Sequence, residues 1–167
     1  MVKRQKNQQT KMIFDKDYID FIAILNKHEA KYVLVGGLAV VIHGHFRTTK
    51  DMDIFYEGSE ENAKKVLNSI NEFGFGYLKL TVADLMDAGG YIKLGQQPVR
   101  IDLFCDLPGV KFNDVYEIAL DYEEDDFKLK IIHINHLIEN KMIVGRLQDM
   151  DDVKKLKKIL ELKKRKK

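Results

Sequence analysis

The 167-residue chain has one cysteine, two prolines and no apolar run longer than the ten residues from Val33 to Ile42. A single thiol, Cys105, excludes an intrachain disulfide and fits a reducing compartment. Ten apolar residues interrupted by a glycine pair are too few to cross a bilayer. The basic start "MVKRQKNQQTK" lacks the apolar segment that a signal peptide needs, so a cytoplasmic protein is expected, with no membrane partner. With 45% hydrophobic and 32% charged residues, the composition is that of a folded soluble chain rather than a disordered one. Its length fits one domain. The expected division is a basic tail over 1–11, a domain over 12–162 and a second basic tail over 163–167.

A net charge of +2 conceals an asymmetry. Residues 1–11 carry four basic groups, and residues 154–167 carry nine with one acid, Glu161. Residues 12–153 then hold 15 basic groups against 25 acidic ones. An acidic body argues against broad binding to duplex nucleic acid, which requires many phosphate contacts. The basic ends suit either an anionic partner such as RNA or simple solvation, and solvation is the commoner use of such short runs.

Hydrophobic periodicity predicts a helix over 14–29, with Asp15 as N-cap and Tyr18, Phe21, Ile22 and Leu25 on one face. "KYVLV" (31–35) reads as a buried strand, "GGLAVVIHG" (36–44) as a tight turn into a short helix, and "DMDIFY" (51–56) as a strand. A serine-capped helix over 59–74 follows, then a short helix at 81–87 and strands at "GYIKL" and "PVRIDLF" separated by the turn "GQQP". A helix at "FNDVYEIA", a strand at 127–134 and two helices, "NHLIENKMIVGRLQ" and "DMDDVKKLKKILELKKR", complete the chain. This order predicts an α/β (α+β) fold, a mixed sheet flanked by helices with further helices at the C-terminus.

Two features serve stability poorly. Acidic residues are depleted in strands, yet Asp51 and Asp53 sit two apart in one, which puts both on the same face roughly 6.5–7 Å apart at Cα. Asp102, in the apolar strand "VRIDLF", supplies a third carboxylate on the same face as Arg100. An acid in such a strand must be paired, solvated in a cleft or coordinated. Three carboxylates form a set of hard oxygen ligands suited to divalent metal, and two metals about 3.5–4 Å apart serve in-line phosphoryl displacement. Most Asp-x-Asp pairs are nevertheless solvated or salt-bridged surface acids. What argues for metal here is Gly36-Gly37 upstream, a turn without Cβ atoms that opens a helix and offers N–H groups to an anion.

The stretch "VGG", a thirteen-residue spacer and "DMDI", followed by Asp102 in "RIDLF", resembles the DNA polymerase β-like nucleotidyltransferase superfamily. The wording "GGLAVVIHGHFRTTKDMDI" and the tail "NKMIVGRLQDMDDVKKL" are most similar to small bacterial abortive-infection and toxin-type members. The resemblance covers roughly residues 30 to 156. It implies that Gly36 and Gly37 bind a triphosphate and that Asp51 and Asp53 hold two Mg²⁺ ions, with Mn²⁺ as the substitute. Asp102 would complete a metal site and help deprotonate the attacking hydroxyl. The implied reaction is attack of an acceptor oxygen on the α-phosphate of a nucleoside triphosphate such as ATP, with release of pyrophosphate. The acceptor stays open between an RNA end, a protein side chain and a small hydroxyl compound such as an antibiotic. A homodimer or an antitoxin partner, and a nucleotide-binding module without turnover, stay open beside it.

Arg47 is balanced between a phosphate or acceptor contact and a loop ion pair. Lys141 shares the apolar face of Leu137 and Ile138, so it either snorkels to the surface or reaches a site anion. The resemblance favours the triphosphate, and replacement by Met is expected to cost less than ~1 kcal/mol of stability. Asp149 and Asp152 with Arg146 read as an intrahelical ion-pair set. His43 and His45 read as cap or surface residues before metal ligands, Cys105 as packing, and Tyr77 and Tyr91 as core packing before stacking on a base.

Overall fold

The computed structural model describes residues 13–124 and 127–166. The basic tail expected over 1–11 lies outside them. The elements are α1 (Lys16–Lys27), β1 (Tyr32–Val35), α2 (Gly36–Ile42), β2 (Asp51–Tyr56), α3 (Glu60–Ile70) and α4 (Val82–Met86). They continue with β3 (Ile92–Gln96), β4 (Val99–Phe104), α5 (Phe112–Glu117), β5 (Leu120–Glu124), β6 (Phe127–Ile131), α6 (Ile134–Val144) and α7 (Leu147–Arg165). The six strands form one mixed sheet in the order β3-β4-β2-β1-β6-β5. This is the α/β architecture expected, with helices packed on the sheet.

Local chemistry explains most of the boundaries. Asp15 caps α1 by accepting from the Asp17 N–H at 3.0 Å, and Ser59 caps α3 by accepting from the Asn62 N–H at 3.3 Å. The third helix ends at Ile70 rather than 74, because Gly74 takes a φ of +104° inside irregular turns over 71–78. Gly145, with a φ of +67°, ends α6 after Val144. The break between the last two helices therefore falls at Gly145-Arg146, earlier than the sequence suggested, and Arg146 becomes the N-cap of α7. Strand β5 was not anticipated, since its residues Leu120–Glu124 alternate among exposed and half-buried sites.

The sheet centre is apolar and closed to water. Tyr32–Val35 are all buried, as are Met52, Ile54, Phe55 and Tyr56. Phe112 of α5 packs edge-on against Phe55 at 5.1 Å, while Phe21 of α1 meets Phe73 at 5.0 Å. Register fixes what lies above this core. Val35 pairs with Asp53 across the antiparallel β1–β2 ladder, and Asp53 pairs with Asp102 across the parallel β2–β4 ladder. The end of β1, the start of β2 and the middle of β4 thus meet at one point of one face. No helix among the described residues is long and apolar enough to cross a membrane.

Candidate active site

β1 runs directly into α2 through Gly36, whose φ is +66°. A Cβ on Gly36 would lie 2.0 Å from Asp53 Oδ2, and one on Gly37 would lie 2.6 Å from Thr49 Oγ1. The turn must therefore be bare so that the Asp53 carboxylate can lie against it. The Gly37 N–H donates to Asp53. The glycine pair and the carboxylate strand, separated in sequence, are parts of one contact.

The three aspartates converge as expected: Asp51, Asp53 and Asp102 each place an oxygen within 4.8 Å of the others. Asp102 is fully buried and accepts three hydrogen bonds, from the Tyr91 hydroxyl at 2.8 Å and from Arg100 Nε and Nη2 at 2.9 Å each. Arg100 Nη2 also donates to Asp51. Among the described residues, no cation pairs with Asp53 in this way. Burial first, then the charges of Asp51 and Asp102, push its carboxyl from an ordinary 3.8 up to about 7, against the smaller opposing effects of the Gly37 N–H and Lys141. Three clustered carboxylates, one of them burdened by uncompensated charge, match the hard-oxygen ligand set of a divalent cation.

Above them opens a cleft of about 420 Å³ lined by Gly36, Gly37, Arg47, Thr49, Lys50, Asp51, Asp53, Arg100 and Lys141, among others. Gly36, Gly37, Arg47 and Lys141 thus share one cavity with the first two aspartates, while Asp102 lies beneath Arg100 and Tyr91. Lys141 does not snorkel. It is only 4% exposed, and its ammonium lies 2.9 Å from Asp149 Oδ1 and 2.8 Å from Asp152 Oδ2.

Asp149 and Asp152 are not the intrahelical set that their spacing suggested. Arg146 does pair with Asp149, at 2.7 Å, but Asp152 reaches out of its helix. Besides Lys141 it holds Arg47, with Nε 2.8 Å from Oδ1 and Nη2 donating to Oδ2 at 2.9 Å. Asp149 and Asp152 lie three apart on α7 and turn the same buried face towards α6, which opposes them to Lys141. Arg47 is therefore both a loop arginine in an ion pair and a lining residue of the cleft.

Other readings change in similar ways. His43 is the C-cap of α2, its N–H donating to the Ala39 carbonyl at 3.0 Å, and its buried ring bonds through Nε2 to the Ile132 carbonyl at 2.8 Å. His45 lies 3.8 Å from both Asp151 and Asp152. Tyr91 and Tyr77 are exposed rather than packed in the core. Sequence reasoning weighed Tyr91 for base stacking or packing but missed its contact with Asp102, because the hydroxyl finds that carboxylate only through the β3–β4 pairing. Arg100 had a visible signal, since strand alternation aligns it with Asp102. Cys105 is half-buried, with its thiol donating to the Asp87 carbonyl at 3.4 Å.

Residues 16–164 match the model of a family described as "nucleotidyltransferase of unknown function", DUF6036. The chain belongs to this nucleotidyltransferase family. Among curated proteins, none matches the sequence. Among solved structures, the nucleotidyltransferase is similar to a lincosamide antibiotic adenylyltransferase, LnuA, solved with lincomycin bound. The likeness covers 87% of this chain and 98% of that one, with a TM-score of 0.52 and 16% identity. At that identity the likeness speaks to the fold.

Proposed function

We propose that this nucleotidyltransferase moves a nucleoside monophosphate from a nucleoside triphosphate to a hydroxyl acceptor, with Asp51, Asp53 and Asp102 holding divalent metal. The observation that carries this reading is the convergence of three carboxylates within 4.8 Å, two of them lining a cleft walled by Arg47, Lys50, Arg100 and Lys141. Anionic ligands alone would not repay a cluster of buried acids, and acids alone would not need the cationic walls. A metal–triphosphate complex suits both.

Mg²⁺ held by Asp51, Asp53 and Asp102 would offset the facing charges of phosphate and carboxylate. The chain's own residues hold the reactants. Gly36 and Gly37 leave room for the phosphates, Lys141 faces them as a point charge, and Arg47 offers its guanidinium from the loop before β2. The acceptor oxygen forms a bond to the α-phosphorus as the bond to the pyrophosphate oxygen breaks. The hydroxyl proton passes to a site carboxylate and on to water. With three donors on its oxygens, Asp102 serves first as ligand and anchor, and takes up the proton only when Arg100 turns aside. Catalysis of this kind rests on position and charge more than on covalent chemistry.

Incubation with each α-labelled nucleoside triphosphate, Mg²⁺ or Mn²⁺, and cell extract tests the reading. Label should move to an acceptor with pyrophosphate release, and both should vanish with chelator or in Asp51→Asn. Absence of metal-dependent triphosphate binding by calorimetry would sink it.

A further inference from the structure

A second cleft, of about 280 Å³, meets the first along Gly36, Asp53, Tyr91, Lys141, Arg146 and Asp149. Its remaining walls differ in kind. Where the first cleft is lined by threonines, glutamines and cations, the walls particular to the second are mostly apolar, Val35, Phe104, Leu107, Pro108 and Val144, with Asn140 as a polar group. The Tyr91 ring stacks on Phe104 at 5.6 Å and 5° between planes, so a flat aromatic surface borders Asp53. The acid Asp106 also lines this cleft. The two basic groups that border it, Lys141 and Arg146, also line the polar cleft, so the walls that belong to the second cleft alone carry no cation.

We infer that this second cleft is the acceptor site, and that the acceptor is a small hydroxyl compound with an apolar body, neutral or cationic rather than anionic. The inference rests on the proposed transfer reaction and deepens it. In an in-line displacement the attacking and leaving oxygens stand on opposite sides of the phosphorus. Pyrophosphate belongs among the cations of the polar cleft, so the attacking hydroxyl comes from across Asp53, where the apolar cleft lies. Its volume falls just below the ~300–1,000 Å³ of drug-sized sites, which suits a small molecule or one ring of a larger one. Walls that add an acid and apolar side chains but no cation of their own give little hold on a phosphodiester backbone, whose recognition depends on cations.

The chain contains no tryptophan, so Val144→Trp both fills the cleft and gives it a unique fluorophore. The 39% exposure of Val144 lets the larger side chain be accommodated without displacing the core. Labelled ATP is supplied with Mg²⁺ and, separately, with the small-molecule, RNA and protein fractions of a cell extract. Wild type should label the small-molecule fraction. Val144→Trp should lose at least about tenfold of that transfer while binding Mg²⁺–ATP within about threefold of wild type, with unmoved indole emission. A tenfold loss of ATP affinity, or an emission shift on adding ATP, would give the cleft to the nucleoside and overturn the inference. Label in the RNA or protein fraction, or undiminished transfer by Val144→Trp, would overturn it as well. A wild type that binds no Mg²⁺–ATP would instead show failure of the underlying reaction.

Discussion

Two sets of acidic residues lie on strands of the same sheet and live in opposite circumstances. At the far edge, Asp121 and Glu123 of β5 stand directly opposite Lys130 and Lys128 of β6, and each pair closes at 2.7 Å. At the other end, Asp53 stands directly opposite Asp102, and Asp51 lies two residues away on the same face. Opposite charges across a ladder contribute modestly to stability, while like charges across it oppose folding. The edge hairpin is thus arranged as a sheet alone would favour. The central strands are arranged against that preference, with Arg100 the cation that reaches Asp51 and Asp102. Acids on a strand mark a site when the register sets them against one another rather than against lysines.

Asp53→Asn should break this contrast with the largest effect. Metal-dependent transfer should fall by ~10²-fold or more, since the carboxylate nearest the glycine turn is lost. Stability should move the other way in the metal-free protein. The folded carboxyl is raised to about 7 from an ordinary 3.8, so between those values the native state binds a proton that the unfolded chain has released. Wild-type stability therefore falls as pH rises through that window, by up to ~4 kcal/mol at about 1.4 kcal/mol per unit. Asp53→Asn should remove that slope, gaining most near pH 8 and nothing near pH 4. Urea midpoints with chelator at both pH values measure it. A parallel pH dependence in the two proteins would return Asp53 to the ordinary surface acids.

Lys141→Met sharpens the comparison from the cationic side, and its expected stability effect differs from what the sequence implied. A snorkelling lysine would have left stability within ~1 kcal/mol. This ammonium is buried between Asp149 and Asp152, and removing one partner of a buried pair leaves charge uncompensated. Because Arg146 and Arg47 still hold those acids, the loss should be about 2–4 kcal/mol rather than complete unfolding. Transfer should fall ~10²-fold. Lys141→Met with Asp152→Asn should recover part of the stability and none of the activity. Recovery of both would make the lysine a structural strut.

What the sequence disclosed and what it hid divide along physical lines. The strand at 51–56, the bare turn at 36–37 and the three aspartates were legible, because alternation and missing Cβ atoms are local signals. Strand β5 was not, since Leu120–Glu124 packs lightly at a sheet edge and carries no apolar face. Nor was the role of Asp152. Its partners Lys141 and Arg47 are 11 and 105 residues away, and spacing along one helix suggested only Arg146. Tyr91 was hidden in the same way, because only the β3–β4 hairpin brings its hydroxyl to Asp102. Local patterns reveal which residues are misplaced for stability. Which partners answer them is a property of register and packing.

The smallest effect should come from the far edge. Asp121 has 81% of its side chain exposed and Lys130 has 30%, so their attraction acts largely through water and is screened by salt. Exposed pairs of this kind contribute ~0–1 kcal/mol, part of which is offset by the cost of ordering two side chains. The Lys130 ammonium also sits 5.3 Å from the centre of the Tyr116 ring, a contact that survives when the carboxylate is neutralised. Asp121→Asn should therefore shift the urea midpoint by an amount equivalent to less than ~1 kcal/mol, with the difference shrinking further in 0.5 M salt. Nucleotide transfer should stay at the wild-type rate, because neither the polar nor the apolar cleft includes any residue of β5. If Asp121→Asn instead lowered transfer as far as Asp53→Asn does, position on the sheet would have no bearing on what a strand acid does. The distinction between paired edge acids and converging central ones would then fail.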